Sequence, residues 1–236
     1  MTQLFAVDVS HHQGAMDWER TKAAGVQFAY IKATEGLNWY DPQFSRNGQG
    51  ARYVDIPFGI YHFWRSMVTP QQQFNNIMRA YDYIRKAVPI AIDVEVFDGL
   101  SPEHNKSMLA VLIEELIKET KIMPTLYTRK SIWDSNVAPY KRWKELPLWV
   151  GNWDNSSPVL PRDWTDWYVW QYKVSNDGYK YGAENGKQID LNYVKPEYLK
   201  YYGIGASAPQ PQPKEYDVTI TIDSITYSGK VTRKDD

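Results

Sequence analysis

The chain has 236 residues, enough for one large domain with a substantial core plus an appendage. Its formal net charge of -1 provides no strong field to draw nucleic acid or an anionic membrane, and the absence of cysteine excludes disulfides, thiolate metal sites and cysteine nucleophiles. Aromatic residues reach 15%, with ten Trp and eighteen Tyr, a load that either fills a large core or lines a groove for flat, weakly charged ligands such as sugars.

In chain order, a strand-like run at 4–9 comes first, with no basic and apolar leader ahead of it, so no signal peptide is expected. A short helix follows Asp17. Strands are predicted at 28–33 and 58–63, then a helix over about 70–86 with Phe74, Ile77, Met78, Tyr81 and Ile84 on one stripe. A strand at 89–96 leads into the clearest helix, 102–121, where Leu109, Leu112, Ile113 and Leu116 recur at helical spacing behind a Ser101-Pro102 start. Further strands are predicted at 125–128, 148–153, 168–172 and 189–194, but 154–166 holds Pro158 and Pro161 without a helical period and 173–188 is rich in Gly, Asn and Tyr. Eight strands alternating with helices predict an α/β fold, a (β/α)8 barrel of TIM type made irregular by helices missing in its second half. No apolar run reaches the ~18 residues of a membrane span, so no membrane insertion is expected.

Residues 206–214 form a Pro/Gln-rich stretch that reads as a linker, dividing a catalytic barrel (1–205) from a β-strand tail (215–236). In the tail Val218, Ile220 and Ile222 alternate with Thr219, Thr221 and Asp223 as a half-buried strand, and 225–227 and 230–232 are candidates to pair back on it. A small ribbon with one apolar stripe needs a partner, and self-association into a homo-oligomer, wall attachment or packing on the barrel would each supply one.

Polar residues cluster at the strand ends. Asp8, Lys32, Tyr61, Asp93, Glu95, Tyr127, Asn152 and Gln171 lie at or near the ends of strands one to seven, Glu35 lies just past the second, and Asp190 lies in the eighth. In a parallel barrel the strand C-termini share one face, where active sites form. Asp93 and Glu95 are two apart, so both point to the same face, about 7 Å apart along the backbone. Each carboxylate raises its neighbour's pKa, as a general acid working near neutral pH requires.

Other candidates carry competing readings. His11 and His12 with Asp8 suggest a metal-dependent deacetylase, but adjacent histidines face opposite ways on a strand and no H-x-x-x-H spacing supports a metal, so histidines shaping a loop are expected and no cofactor is assigned. His62 reads as a packed, satisfied residue. Lys32 and Glu35 either pair with each other or contact substrate. Trp149, Trp153 and Trp170 are core or groove.

The segments Val7-Asp8-Val9-Ser10-His11-His12-Gln13-Gly14, Lys32-Ala33-Thr34-Glu35-Gly36, Gly59-Ile60-Tyr61-His62-Phe63, Ile92-Asp93-Val94-Glu95, Trp170-Gln171-Tyr172 and Asp190-Leu191-Asn192 resemble, in order, the motifs of glycoside hydrolase family 25, the Chalaropsis-type lysozymes. The resemblance spans roughly residues 4–200. It implies an irregular barrel and N-acetylmuramidase activity on bacterial peptidoglycan, with Glu95 as the acid and Asp93, Asp8 and Asp190 as the other acids of the site. Tyr61, Lys32, Glu35, Tyr127, Trp149, Asn152, Trp170 and Gln171 are the expected substrate contacts. The sixth strand departs from the family pattern, with Gly151-Asn152 where members more often carry Ala and another polar residue; the departure touches the contact at Asn152 and leaves the acid unaffected. A substrate outside the membrane and a chain without leader or cysteine suggest a phage endolysin, made in the host cytoplasm and released to the wall. A chitinase-like glycosidase and a non-catalytic wall-binding module are the competing functions.

Overall fold

The computed structural model describes residues 3–84, 89–204, 215–222 and 225–232, the last two stretches by their backbone. Eight strands form a closed barrel: β1 (Leu4–Val9), β2 (Phe28–Glu35), β4 (Phe58–Arg65), β5 (Ile90–Val96), β6 (Thr125–Thr128), β7 (Leu148–Gly151), β8 (Val169–Ser175) and β9 (Ile189–Val194). β1 pairs with both β2 and β9, which closes the ring, and the two-residue β3 (Trp39–Tyr40) pairs antiparallel on the end of β2. From β1 through β8 neighbouring strands are parallel. The last strand departs from the expected pattern: β9 runs antiparallel to both its neighbours. Its N-terminal end therefore meets the C-terminal ends of the others, and that places Asp190, its second residue, on their rim.

Among the described residues six α-helices accompany this barrel: α1 (Trp18–Ala23), α2 (Phe44–Tyr53), α3 (Pro70–Tyr83), α4 (Pro102–Thr120), α5 (Lys130–Asn136) and α6 (Pro196–Tyr201). Thr69 caps α3 in a capping box with Gln72, and Pro70 sits where its missing N–H is no loss. Ser101 caps α4 by accepting from the His104 amide, with Pro102 in the first turn, and Lys121 ends the helix in the left-handed conformation at φ 60°. Leu109, Leu112, Ile113 and Leu116 of α4 are buried, each contributing about 1.5–3 kcal/mol over an exposed position. On α3, Ile77 and Tyr81 are buried, as is Ile84 just past its end, and Phe74 and Met78 pack half-buried beside them. Between β7 and β8 no helix forms. Trp164 from that loop fills the space against Trp133, whose ring lies 4.9 Å away and also packs on Trp143 at 5.4 Å. All three indole N–H groups find acceptors, on Asp163, Ala138 and Leu146.

Strand alternation divides the side chains. Val7, Val9, Ile31, Ile60, Ile92, Val94, Leu126, Val150, Ile189 and Leu191 join the core between strands and helices. Their alternates, among them Asp8, Tyr30, Tyr61, Asp93, Tyr127, Trp149, Gln171 and Asn192, fill the barrel interior. At one end of that interior the buried hydroxyls of Tyr30, Tyr198 and Thr125 bond to one another, tying α6 to the barrel.

The chain divides into two units, Met1–Tyr202 and Gly203–Asp236. The second contains one antiparallel hairpin, β10 (Glu215–Ile222) and β11 (Ile225–Thr232), in register from Glu215↔Thr232 to Ile222↔Ile225. The two short return segments expected at 225–227 and 230–232 are thus one continuous strand. The expected linker at 206–214 lies outside the described residues.

Candidate active site

A cleft of about 250 Å³ opens at the rim where β1 through β8 end. It is lined by Asp8, Asp93, Glu95 and Asp190, by Tyr61, Phe63, Tyr127, Trp149 and Trp153, and by His12, Lys32 and Gln171. Four acids from three strands thus converge, because β1, β5 and the reversed β9 deliver their rim-end residues to one place.

The acids differ in how they are held. Asp8 is buried, and Gln171 (3.0 Å) and Asn192 (2.8 Å) both donate side-chain N–H to its Oδ2. Gln171 accepts in turn from the Tyr127 hydroxyl at 2.9 Å and the Trp153 indole at 3.0 Å, and Asn192 accepts from the Trp149 indole at 2.8 Å. A single network therefore aligns one acid and three aromatic walls. Burial raises Asp8 from 3.8 to about 6 against the pull of those two bonds, with Glu95 adding to the rise. Burial also pushes Asp190 up, to about 8, helped by Asp8 and then Glu95. Asp93 is held well above the aspartate range by burial and by Glu95 beside it, and its Oδ1 is shut from solvent with no hydrogen-bond partner in the described structure. Glu95 is also raised by burial, with Arg129, 3.2 Å away, and Lys32 pulling it back; its side chain keeps 24% exposure. Four such groups cannot all ionise together near neutral pH, so the cleft retains protons that an acid catalyst could deliver.

Of the twelve residues singled out in the sequence, nine line this cleft and three do not. Glu35 is not among the lining residues, its carboxylate accepting from Lys32 (2.8 Å) and from Arg65 (2.6 and 2.9 Å). Burial pushes its carboxyl up, but those two cations outweigh it and hold it low, so it stays ionised and anchors Lys32. Trp170 is buried in the core and donates to the Asn152 carbonyl at 2.8 Å. It neighbours Gln171, which faces inward, so it must face out. Asn152 lies past the end of β7, where its side chain accepts from the Val159 amide at 3.0 Å and shapes the loop replacing the missing helix.

The histidines fall out individually. His62 is buried between Thr34 (2.8 Å) and Gln73 (3.0 Å), and burial lowers it to about 4, so it is a neutral packing residue. His11 pairs with buried Asp41 at 2.9 Å and shapes the turn after β1, as expected, whereas His12 turns into the cleft. Phe63, Asn192 and Arg129 were not selected from the sequence, and Trp153, left open there between core and groove, lines the cleft. The first three could have been, since Phe63, Arg129 and Asn192 stand two residues beyond Tyr61, Tyr127 and Asp190, the spacing that links Asp93 with Glu95.

The model of glycosyl hydrolases family 25 matches residues 7–182, from the strand carrying Asp8 almost to the strand carrying Asp190. The chain belongs to this family. Among family 25 relatives, Lysozyme M1 of Streptomyces globisporus is 31% identical over 197 residues, covering 79% of this chain and 66% of that protein, a little under two thirds. An N,O-diacetylmuramidase of Chalaropsis is 27% identical and covers 75% of this chain and 90% of its own length. In structure, the barrel is similar to a bacterial lysozyme from Streptomyces coelicolor, with a TM-score of 0.75 at 27% identity over 86% of this chain and 97% of the other. The family 25 barrel implied by the six motifs is therefore met.

Proposed function

We propose that the barrel is a muramidase, hydrolysing the β-1,4 bond between N-acetylmuramic acid and N-acetylglucosamine in bacterial peptidoglycan. The carrying observation is the acid pair Asp93 and Glu95, facing one way into a cleft walled by Tyr61, Tyr127, Trp149 and Trp153. Pyranose rings present apolar faces to such walls, and a glycosidic oxygen needs a proton donor at their centre. The lysozyme and muramidase names carried by its relatives agree with this substrate class.

Glu95 is the general acid. Burial raises its pKa against the pull of Arg129 and Lys32, and its side chain is exposed enough to reach a bound glycan. As it protonates the leaving oxygen, the substrate's own 2-acetamido carbonyl attacks the anomeric carbon. Asp93 orients that acetamide and balances the charge on the cyclic intermediate from its place beside Glu95 in the cleft lining. Glu95 then draws a proton from the water that opens the ring, and configuration is retained overall. Asp8 and Asp190 shape the field around the anomeric centre.

We further propose a phage-type lysin, made in a host cytoplasm and released to the wall. A chain without cysteine needs no change of redox compartment to fold. The β10–β11 hairpin serves wall attachment or self-association.

The test is Glu95→Gln. General acid catalysis contributes about 10²–10⁴-fold, so the variant should melt like wild type yet clear purified walls at under about a tenth of its rate. A folded variant retaining more than that removes Glu95 from the role.

A further inference from the structure

Arg129 is the residue after β6, and its backbone stays extended, at φ -118° and ψ 147°, before α5 begins. It therefore continues the alternation of Tyr127 and points toward the cleft end of the barrel. Its Nε meets Glu95 Oε2 at 3.2 Å, charge to charge, with no aligned hydrogen-bond acceptor of its own. Its guanidinium carbon lies 5.2 Å from the centre of the Trp153 ring, and that ring is fixed by its bond to Gln171. The side chain passes a gap that exists only because residue 151 is glycine. A Cβ there would stand 3.0 Å from Arg129 Cγ and 2.7 Å from the Tyr127 hydroxyl oxygen.

We propose that Arg129 is a positioning residue for the acid: carried past Gly151 and laid over Trp153, it fixes where the Glu95 carboxyl sits in the cleft. The inference rests on Glu95 being the acid. The same contact limits how strongly Glu95 holds its proton, since Arg129 is foremost among the charges opposing the effect of burial, ahead of Lys32. The other titratable groups lining the cleft with this carboxyl are Asp93 on its own strand, Asp8 on β1, His12 on the turn after β1, Tyr61 on β4, Tyr127 on β6 and Asp190 on β9. The acids among them favour the protonated form, and Arg129 and Lys32 oppose it. Loss of Arg129 leaves that balance tilted toward the proton, and the carboxyl free to rotate.

The experiment uses the full chain on purified wall glycan between pH 4 and 9, with ¹³C-glutamate NMR to titrate Glu95 directly. In Arg129→Gln the alkaline limb of the rate profile and the Glu95 titration should both move up by about 1 pH unit, the low end for an opposite charge within 4–6 Å. At the optimum kcat should fall about tenfold or more with KM within about twofold, because a misplaced group costs up to about 10²-fold. Arg129→Lys should restore the limb but only part of kcat, having the charge without the planar stack on Trp153. Gly151→Ala should mimic the limb shift with Arg129 still present, and the double variant Gly151→Ala/Arg129→Gln should shift it no further than Arg129→Gln alone. An unmoved limb and titration in Arg129→Gln, or strict additivity in the double variant, overturns the proposal. If Glu95→Gln is inactive and the Arg129 limb does not move, this inference falls and the acid assignment stands. If folded Glu95→Gln is active, the acid assignment itself falls.

Discussion

Asp8→Asn should stabilise the protein while disabling it. The Asp8 carboxyl titrates near 6 in the folded barrel against 3.8 ordinarily, a difference of about two pH units, or about 3 kcal/mol at 1.36 kcal/mol per unit. The sign follows from the direction. A carboxyl whose folded pKa is raised contributes stability below its unfolded value and loses it as pH rises through the folded one, here between about 4 and 6. Asparagine keeps the shape, and since both donors, Gln171 and Asn192, converge on one oxygen, its amide oxygen can accept both. No buried donor is orphaned. Removing the charge also relaxes Asp190, which Asp8 helps hold at about 8. Thermal melts followed by circular dichroism should coincide for variant and wild type at pH 4. They should diverge by pH 7.5, the variant melting about 6–12 °C higher for a domain of this size. A variant less stable at pH 7.5, or a difference that does not change with pH, would refute the assignment of burial cost to this acid.

Three further outcomes follow. Proton NMR of the first product should show retained anomeric configuration, and an inverted first product would replace acetamide participation with a water-activating base, for which Asp8 and Asp190 are placed. A chain ending at residue 205 should cleave small glycan fragments at near wild-type rate but lose either oligomeric mass in light scattering or activity on intact walls; no change in both would make the tail dispensable for these roles. Expressed in a bacterium without an accompanying membrane lesion, the protein should be tolerated until the cells are permeabilised, and lysis or export of the intact chain without permeabilisation would contradict release-dependent delivery.

Much of the barrel was legible because strands announce themselves locally. The runs at 4–9, 125–128 and 189–194 match β1, β6 and β9 in both bounds. The direction of β9 was not legible, since an alternating strand reads the same whichever way it pairs. The run at 148–153 stops at Gly151 because the chain then turns into the irregular loop. Helix α2 was hidden by its own packing: Gly50 leaves room for the Trp18 ring, which a Cβ would meet at 2.2 Å, and Gly48 lies against Phe58, so close approach to neighbours removed the apolar signal. At the site, the acids were found through i, i+2 spacing on strands. Trp170 and Asn152 were misplaced because proximity to a strand end was weighed above alternation. Glu35 stands in register with cleft-lining Phe63 because β2 bulges between Lys32 and Thr34, but its carboxylate is taken up by Lys32 and Arg65, a pairing the spacing alone could not decide.

The most direct measurement of the central claim is the identity of the new reducing end. Purified peptidoglycan digested by the full chain, reduced with borohydride and analysed by mass spectrometry should yield muropeptides ending in reduced N-acetylmuramic acid, and under about a tenth as much from the folded Glu95→Gln variant. Products ending in reduced N-acetylglucosamine, or cleavage of chitin oligomers in preference to peptidoglycan, would contradict it.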